Sequence, residues 1–310
     1  MNKYAPIAVY TYNRFEHFCK TISALEKNHL ANESILYVVS DAAASEKDEI
    51  QVQKIREFSK KIKGFSSVEL IFRPQNIGPG ESIYGAEREI IDLHGKIISM
   101  EDDNLTSSNF LTFMNSGLEK FQDDSSVYSI CGYCPPINIK SNAGHDTWFY
   151  PWNISWGYAT WKKKYDLLNP LNNNYKELKD AGTIRKINKM GGLYITDSLR
   201  RDYKKQAHFP DAILCCNMTR LNMVSVLPLK SKVLNIGNDG SGTSKGVNTD
   251  KYNVMLDNSG NLNFNFECDK EISLENTIKA SKFYNGKKST QIARYLGIYQ
   301  YLLSLKKSYK

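Results

Sequence analysis

The first hundred residues alternate short apolar runs with stretches in which apolar side chains recur every three or four positions. Ile7 to Tyr12 reads as a buried strand, and Phe15, Phe18, Ile22 and Leu25 then follow the 3.6-residue period of an amphipathic helix. Ile35-Leu36-Tyr37-Val38-Val39 predicts a second strand ending at Ser40-Asp41. A helical face of Ile55, Phe58 and Ile62 follows, with a stop at Gly64. Val68 to Phe72 supplies a third strand ending at Arg73. Ile83, Glu87, Ile90 and Leu93 then mark a helix closed by Gly95. Lys96 to Met100 is a fourth strand that runs into Glu101-Asp102-Asp103-Asn104. Strands separated by helices pair in parallel, because the helix is the crossover each parallel strand needs, so the fold class is α/β. In open sheets of this kind ligands gather at the carboxyl ends of the strands. Those ends carry Asn13-Arg14, Ser40-Asp41, Arg73 with Asn76, and the acidic triplet.

Three adjacent carboxylates repel one another, and a fold keeps them together only in water or around a cation. The period of two in a strand would put Glu101 and Asp103 on one face and Asp102 on the other. Carboxylate and phosphate oxygens together suit hard cations, Mn2+ or Mg2+. The net charge of +8, from 41 basic and 33 acidic residues, favours anionic partners such as nucleotides, phosphates or an anionic lipid surface.

Beyond the triplet, Phe110, Phe113, Met114 and Leu118 outline a helix and Val127 to Cys131 another strand. All four tryptophans, Trp148, Trp152, Trp156 and Trp161, fall in one short segment. Such a cluster suits either a sugar-binding wall, since aromatic faces pack on sugar rings and indole N–H groups donate, or a satellite core under a long loop. Lys162 to Lys164 and Lys186 to Lys205 form a basic region whose commonest explanation is a solvated face, with a lid or an anionic acceptor surface as the alternative. Cys131 and Cys134 have the spacing of a redox or zinc pair, but no second pair completes it, and they read as buried structural thiols, as do Cys215 and Cys216. Six scattered cysteines, counting Cys19 and Cys268, make no disulfide framework, and with no secretory signal or membrane span in view a cytoplasmic setting is expected.

Thr11-Tyr12-Asn13-Arg14, Ser40-Asp41, Arg73-Pro74-Gln75-Asn76-Ile77-Gly78 and Glu101-Asp102-Asp103, in this order on these elements, resemble the nucleotide-binding half of glycosyltransferases with the GT-A fold. The likeness is to bacterial sugar transferases related to the family-two enzymes and to the N-acetylglucosaminyltransferase I type. It implies a Rossmann-like nucleotide-sugar half (1–104) with a mostly parallel central sheet, continuous with an acceptor half (105–245), and a partly helical extension (246–310). It further implies that Asp41 hydrogen-bonds the base, that Arg14 and Arg73 lie near the nucleotide with Thr11, Asn13 and Asn76, that Asp102 meets the ribose, and that Asp103 binds the metal across two phosphates. Glu101 is then a supporter of that site.

Trp156-Gly157-Tyr158-Ala159-Thr160-Trp161 resembles a signature of the same bacterial enzymes, which places Trp156, Gly157 and Tyr158 beside the transferred sugar. Phe209-Pro210-Asp211 ahead of an apolar helix-like stretch, the spacing from Asp211 to Pro228, and Asn235-Ile236-Gly237 after it resemble the pattern of the same enzymes, which implies Asp211 as the general base, with His208 and His145 in reserve. Two departures stand out. Pro210 replaces the usual Trp, and Ser244 replaces a frequent His.

The activity implied is inverting, metal-dependent transfer from a nucleotide-diphosphate sugar to a glycan or lipid-linked acceptor in bacterial surface polysaccharide synthesis, with no nucleic-acid partner. The alternatives are a sugar-phosphate nucleotidyltransferase and a non-catalytic nucleotide-sugar-binding protein. Ile292 to Lys310 is expected to form an amphipathic helix that packs on the core. Its basic end would also suit peripheral contact with the anionic inner face of a membrane.

Overall fold

The structure, a computed structural model, describes residues 3–141, 144–168, 171–242, 248–267, 269, 272–299 and 301–302. Ser244, Cys268 and the terminal residues from 303 onward, all named above, lie outside the described residues. The strands are β1 (Ile7–Thr11), β2 (Ile35–Ser40), β3 (Ser67–Phe72), β4 (Lys96–Glu101), β5 (Asn104–Thr106), β6 (Val127–Cys131), β7 (Thr147–Tyr150), β8 (Tyr158–Trp161), β9 (Val224–Pro228) and β10 (Val233–Asn235). The helices in the first half are α1 (Phe15–Glu26), α2 (Glu46–Ser59), α3 (Pro79–His94) and α4 (Phe110–Lys120). They are followed by α5 (Lys162–Tyr165), α6 (Tyr175–Asp180), α7 (Thr183–Lys189), α8 (Leu193–Tyr203), α9 (Pro210–Arg220), α10 (Leu274–Asn285) and α11 (Lys288–Leu296).

The architecture is α/β, with a large, mostly parallel central sheet of order β3-β2-β1-β4-β8-β6-β9-β7. The expected first half is present: β3, β2, β1 and β4 all pair in parallel, with Val9 opposite Val38 on one side and Met100 on the other. The apolar stripe of α1 (Phe18, Ile22, Leu25) is buried, as its period demands. α3 stops where Gly95 takes φ +75°, a left-handed conformation that glycine adopts without strain, and its N–H closes the helix on the Ile91 carbonyl. α2 ends at Ser59, before Ile62, which nevertheless packs against the core from the following loop.

The second half continues the same sheet through β8, antiparallel to both β4 and β6. β5 leaves the main sheet and pairs antiparallel with β10, tying the turn after β4 to Asn235. Residues 248–267 are woven into the core. Asp257 accepts from Asn109 at 3.0 Å and pairs with the buried Lys232, while Phe266 stacks on Phe113.

Three of the four tryptophans belong to this core rather than to a sugar-binding wall. Trp148, Trp152 and Trp161 are buried, with the Trp152 and Trp161 indoles donating to Thr219 Oγ1 (3.0 Å) and to the Leu118 carbonyl (3.1 Å). The solvated face expected at Lys162 to Lys164 is also corrected at Lys164. Its ammonium lies 3.3 Å from the centre of the Trp161 ring and donates to the Phe121 carbonyl at 2.7 Å, and burial lowers its pKa to about 8. Cys131, Cys134, Cys215 and Cys216 are buried free thiols, as expected, and burial pushes Cys134 up to about 12.

Candidate active site

The carboxyl ends of β1 and β4 lie side by side, with Tyr10 opposite Glu101. β4 stops at Glu101, so the two-residue period that would pair Glu101 with Asp103 ends there. The chain turns through Asp102 and Asp103, and these two carboxylates converge on Arg14 from the loop after β1. The guanidinium contacts Asp102 Oδ1 and lies 2.8 Å from Asp103 Oδ2. Thr11 at the end of β1 donates to Asp102 Oδ2 at 3.0 Å, and Thr21 on α1 holds the Asp102 carbonyl at 2.8 Å. Asp103 Oδ1 accepts the side-chain amides of Asn104 and Asn235, each at 2.7 Å, and its carbonyl accepts the Ile236 N–H. Gly237 presses on this cluster so closely that a β-carbon there would lie 1.9 Å from Asp103 Oδ2.

Charge balance in the cluster is uneven. Burial lowers the pKa of Arg14, but Asp102 and Asp103 outweigh it and hold the guanidinium above its ordinary value. Asp102 is raised, first by burial and then by Asp103, against the pull of Arg14. Glu101 is pushed well above the usual carboxylate range by burial, then by Asp103, Asp211 and Asp102. Its carboxylate makes no hydrogen bond or ion pair among the described residues.

A cavity of about 270 Å3 opens beside the triplet. Glu101, Tyr158 and Asp211 line it, together with Tyr84, Glu87 and His208. Asp211 comes from the far half of the chain, at the second position of α9. Phe209, not Asp211, occupies the N-cap position, and Pro210 opens the helix where its missing N–H costs nothing. Asp211 therefore does not cap its own helix. Its Oδ1 accepts from Ser155 Oγ at 2.7 Å and from Tyr84 OH at 3.2 Å. Glu87, on the inner face of α3, accepts from Ser99 (2.5 Å), Tyr158 (2.8 Å) and Tyr165 (3.2 Å), and burial holds its pKa up. His208 is held by Asp202 at 2.9 Å.

The remaining predicted residues do not line this cavity. Asp41 accepts from the backbone N–H groups of Ala42, Ile77 and Gly78 and from Asn76 Nδ2, so its lone pairs are filled in holding the turn into α3. Asn13 and Tyr12 both reach Asp48 at the start of α2, at 2.7 and 3.0 Å. Arg73 turns along α3 to Glu89 at 3.1 Å. Trp156 packs edge-on against Tyr133 and Tyr252, and Gly157, at φ +64°, leaves room for Val233. His145 pairs with Glu267. Tyr84, Glu87 and Ser155 do not stand out in the sequence as site residues. Glu87 carries a signal all the same, because a carboxylate on the apolar stripe of a helix must find buried partners.

No set of three His, Cys, Asp or Glu side chains among the described residues is arranged to hold a metal ion. Asp103 Oδ1 is already taken by two side-chain amides and Oδ2 by Arg14, so a cation at Asp103 would have to displace the guanidinium from Oδ2.

The carboxylate excess sets a measurable pH dependence. A carboxyl raised in the folded state contributes stability that is complete below the unfolded pKa, about 4.3 for glutamate, and is lost as pH rises through the folded value. Ligand-free Glu101→Gln is therefore expected to gain thermal midpoint over the unmodified chain as pH rises above about 4.3. An identical midpoint change in the two proteins by scanning fluorimetry would contradict this.

No protein-family model matches the chain, and no curated protein sequence matches it. Among solved structures, the chain is similar to the mannosyltransferase PcManGT from Pyrobaculum calidifontis in complex with GDP-Man and Mn2+, at 15% identity over 51% of this chain and 44% of that one, with a TM-score of 0.37. It is also similar to S. aureus TarS, at 12% identity over 76% of this chain and 37% of that one (TM-score 0.39). With TarS 1–349 in complex with UDP-GlcNAc the values are 13%, 74%, 57% and 0.39. The chain spans less than two thirds of the length of each.

Proposed function

We propose that this protein is a glycosyltransferase of GT-A type that moves a sugar from a nucleotide-diphosphate sugar to a hydroxyl of a glycan or lipid-linked acceptor, with inversion. The observation that carries the reading is the shared cavity of Glu101 and Asp211. A carboxylate from the far half of the chain meets the end of β4, one residue from the Asp102–Arg14–Asp103 cluster. In this reading Arg14, Asp102 and Asp103 receive the nucleotide diphosphate. Asp211, oriented by Ser155 and Tyr84, takes the proton of the attacking hydroxyl. Mn2+ or Mg2+ would be held by Asp103 in place of Arg14 and would supply charge neutralisation of the departing diphosphate.

The experiment is incubation with UDP-, GDP- and dTDP-linked sugars and Mn2+, following nucleoside diphosphate release. At least one donor is expected to be turned over. If none is hydrolysed or transferred and no nucleotide binds, the reading fails.

We further propose a setting at the inner face of a membrane, in surface polysaccharide synthesis. No helix among the described residues is long and apolar enough to cross a membrane. α11, expected to pack on the core, buries only Ala293 and leaves Ile292, Tyr295 and Leu296 exposed beside Lys287, Lys288 and Arg294. An apolar face with a basic flank suits an anionic bilayer surface. Ile292→Ser/Leu296→Ser is expected to lower sedimentation with phosphatidylglycerol vesicles severalfold; equal sedimentation would remove α11 as the contact.

A further inference from the structure

The cavity beside the triplet is smaller than the roughly 300–1,000 Å3 of sites that enclose drug-sized ligands, so it holds one ring-sized group rather than a whole nucleotide sugar. Its lining is chemically one-sided. Glu87, Glu101 and Asp211 contribute three carboxyl groups and no lysine or arginine lines it, the one basic side chain being His208. Glu87 is already supplied with three hydroxyl donors. Glu101 has no partner among the described residues, and Asp211 has donors on one oxygen only. The Tyr10 hydroxyl, on a side chain more than nine-tenths buried in the same lining, also lacks a hydrogen-bond partner among the described residues. A ligand that completes this cavity must bring hydrogen-bond donors and no negative charge.

We infer that the cavity selects a donor sugar without a carboxylate, a neutral or amino-bearing hexose, and rejects the corresponding uronic acid through Glu101 and Asp211. This rests on the transferase reading above. Hydroxyl or ammonium groups donate to Glu101 and to the open oxygen of Asp211, and a sugar hydroxyl can accept from Tyr10. A uronate puts a fourth carboxyl group into a small, poorly solvated space that already holds three and offers no lysine or arginine to pair its charge. Discrimination of this kind comes from the penalty on the wrong ligand as much as from contacts to the right one.

The test uses pairs that differ only at C6: UDP-glucose and UDP-glucuronate, UDP-galactose and UDP-galacturonate, GDP-mannose and GDP-mannuronate. Dissociation constants are measured by calorimetry on the full chain with Mn2+, with UDP and GDP as references. For whichever nucleotide binds, the neutral member is expected to bind at least tenfold more tightly than its uronate. Glu101→Gln or Asp211→Asn, both near-isosteric, is expected to shrink that ratio at least threefold. A smaller ratio in the unmodified protein, or a ratio that neither variant changes, overturns the inference while nucleotide binding leaves the transferase reading standing. If neither nucleotides nor nucleotide sugars bind, both fall together.

Discussion

Asp211→Asn is expected to lower sugar transfer by about a hundredfold to ten-thousandfold, the range typical of a lost general base, while keeping the donor affinity within a few-fold. Asparagine keeps the size of the side chain and can still accept from Ser155 and Tyr84 through its carbonyl oxygen. The orientation of the group at the head of α9 is thereby retained. What it loses is the capacity to take a proton from the attacking hydroxyl. A base that acts only in the transition state should lower kcat and kcat/KM together, leaving KM little changed. Two controls separate this from a structural effect. Ser155→Ala removes the 2.7 Å donor and should reduce kcat more modestly, by loosening the carboxylate rather than deleting it. Pro210→Ala removes no hydrogen bond to the carboxylate and should lower turnover far less than Asp211→Asn. Full turnover in Asp211→Asn would remove this residue from the mechanism and leave the cavity a binding site only.

The four strand ends that frame the site were legible because each first-half unit keeps one period at a time. α1 and α3 carry clean 3.6-residue stripes, and β1 and β2 are continuous apolar runs of the kind expected for strands buried on both faces. The division of labour within Glu101-Asp102-Asp103 was not legible from alternation, because the strand ends at Glu101. Where a strand stops depends on what the turn can bond to. Here that is Arg14, Thr21, Asn104 and Asn235, three of them distant in sequence. Short strands of three or four residues, such as β5, β7 and β8, carry too few positions for a period to register. The tryptophan cluster leaves two readings open in the sequence for a related reason. An aromatic cluster reports that a large apolar surface is needed, but only tertiary packing decides whether a sugar or the core provides its partner, and for Trp148, Trp152 and Trp161 it is the core. Lys164 shows the same limit with charge, since its long stem can bury along Trp161 in a way that composition cannot reveal.

Gly237→Ala is expected to cost at least tenfold in nucleotide-sugar affinity although it adds a single methyl group. The added carbon would lie 1.9 Å from Asp103 Oδ2, 2.8 Å from Asp103 Cγ and 2.7 Å from an Arg14 guanidinium nitrogen, well inside contact distance for each. Gly237 is not among the residues with positive φ, so its backbone accepts alanine and the whole effect comes from that collision. Relief requires either the loop after β10 to back away or Asp103 to rotate. Rotation breaks the two hydrogen bonds that the Asn104 and Asn235 amides donate to Oδ1, and overpacking of this kind costs about 1–3 kcal/mol. Rotation also separates Arg14 from one of its two carboxylates and leaves a buried charge less well paired, while retreat of the loop loosens the Ile236 N–H bond to the Asp103 carbonyl. Gly240→Ala supplies the opposite case. Gly240 has φ +91° with nothing within 4 Å of where a β-carbon would sit, so alanine there strains the backbone but meets no neighbour. It should lower thermal stability slightly and leave nucleotide affinity close to that of the unmodified chain. Calorimetric titration of both variants with the donor that turns over separates the two causes. Equal affinities would mean that the Arg14–Asp103 contact is not part of the nucleotide site, whereas a loss confined to Gly237→Ala ties donor binding to the position of the Asp103 carboxylate.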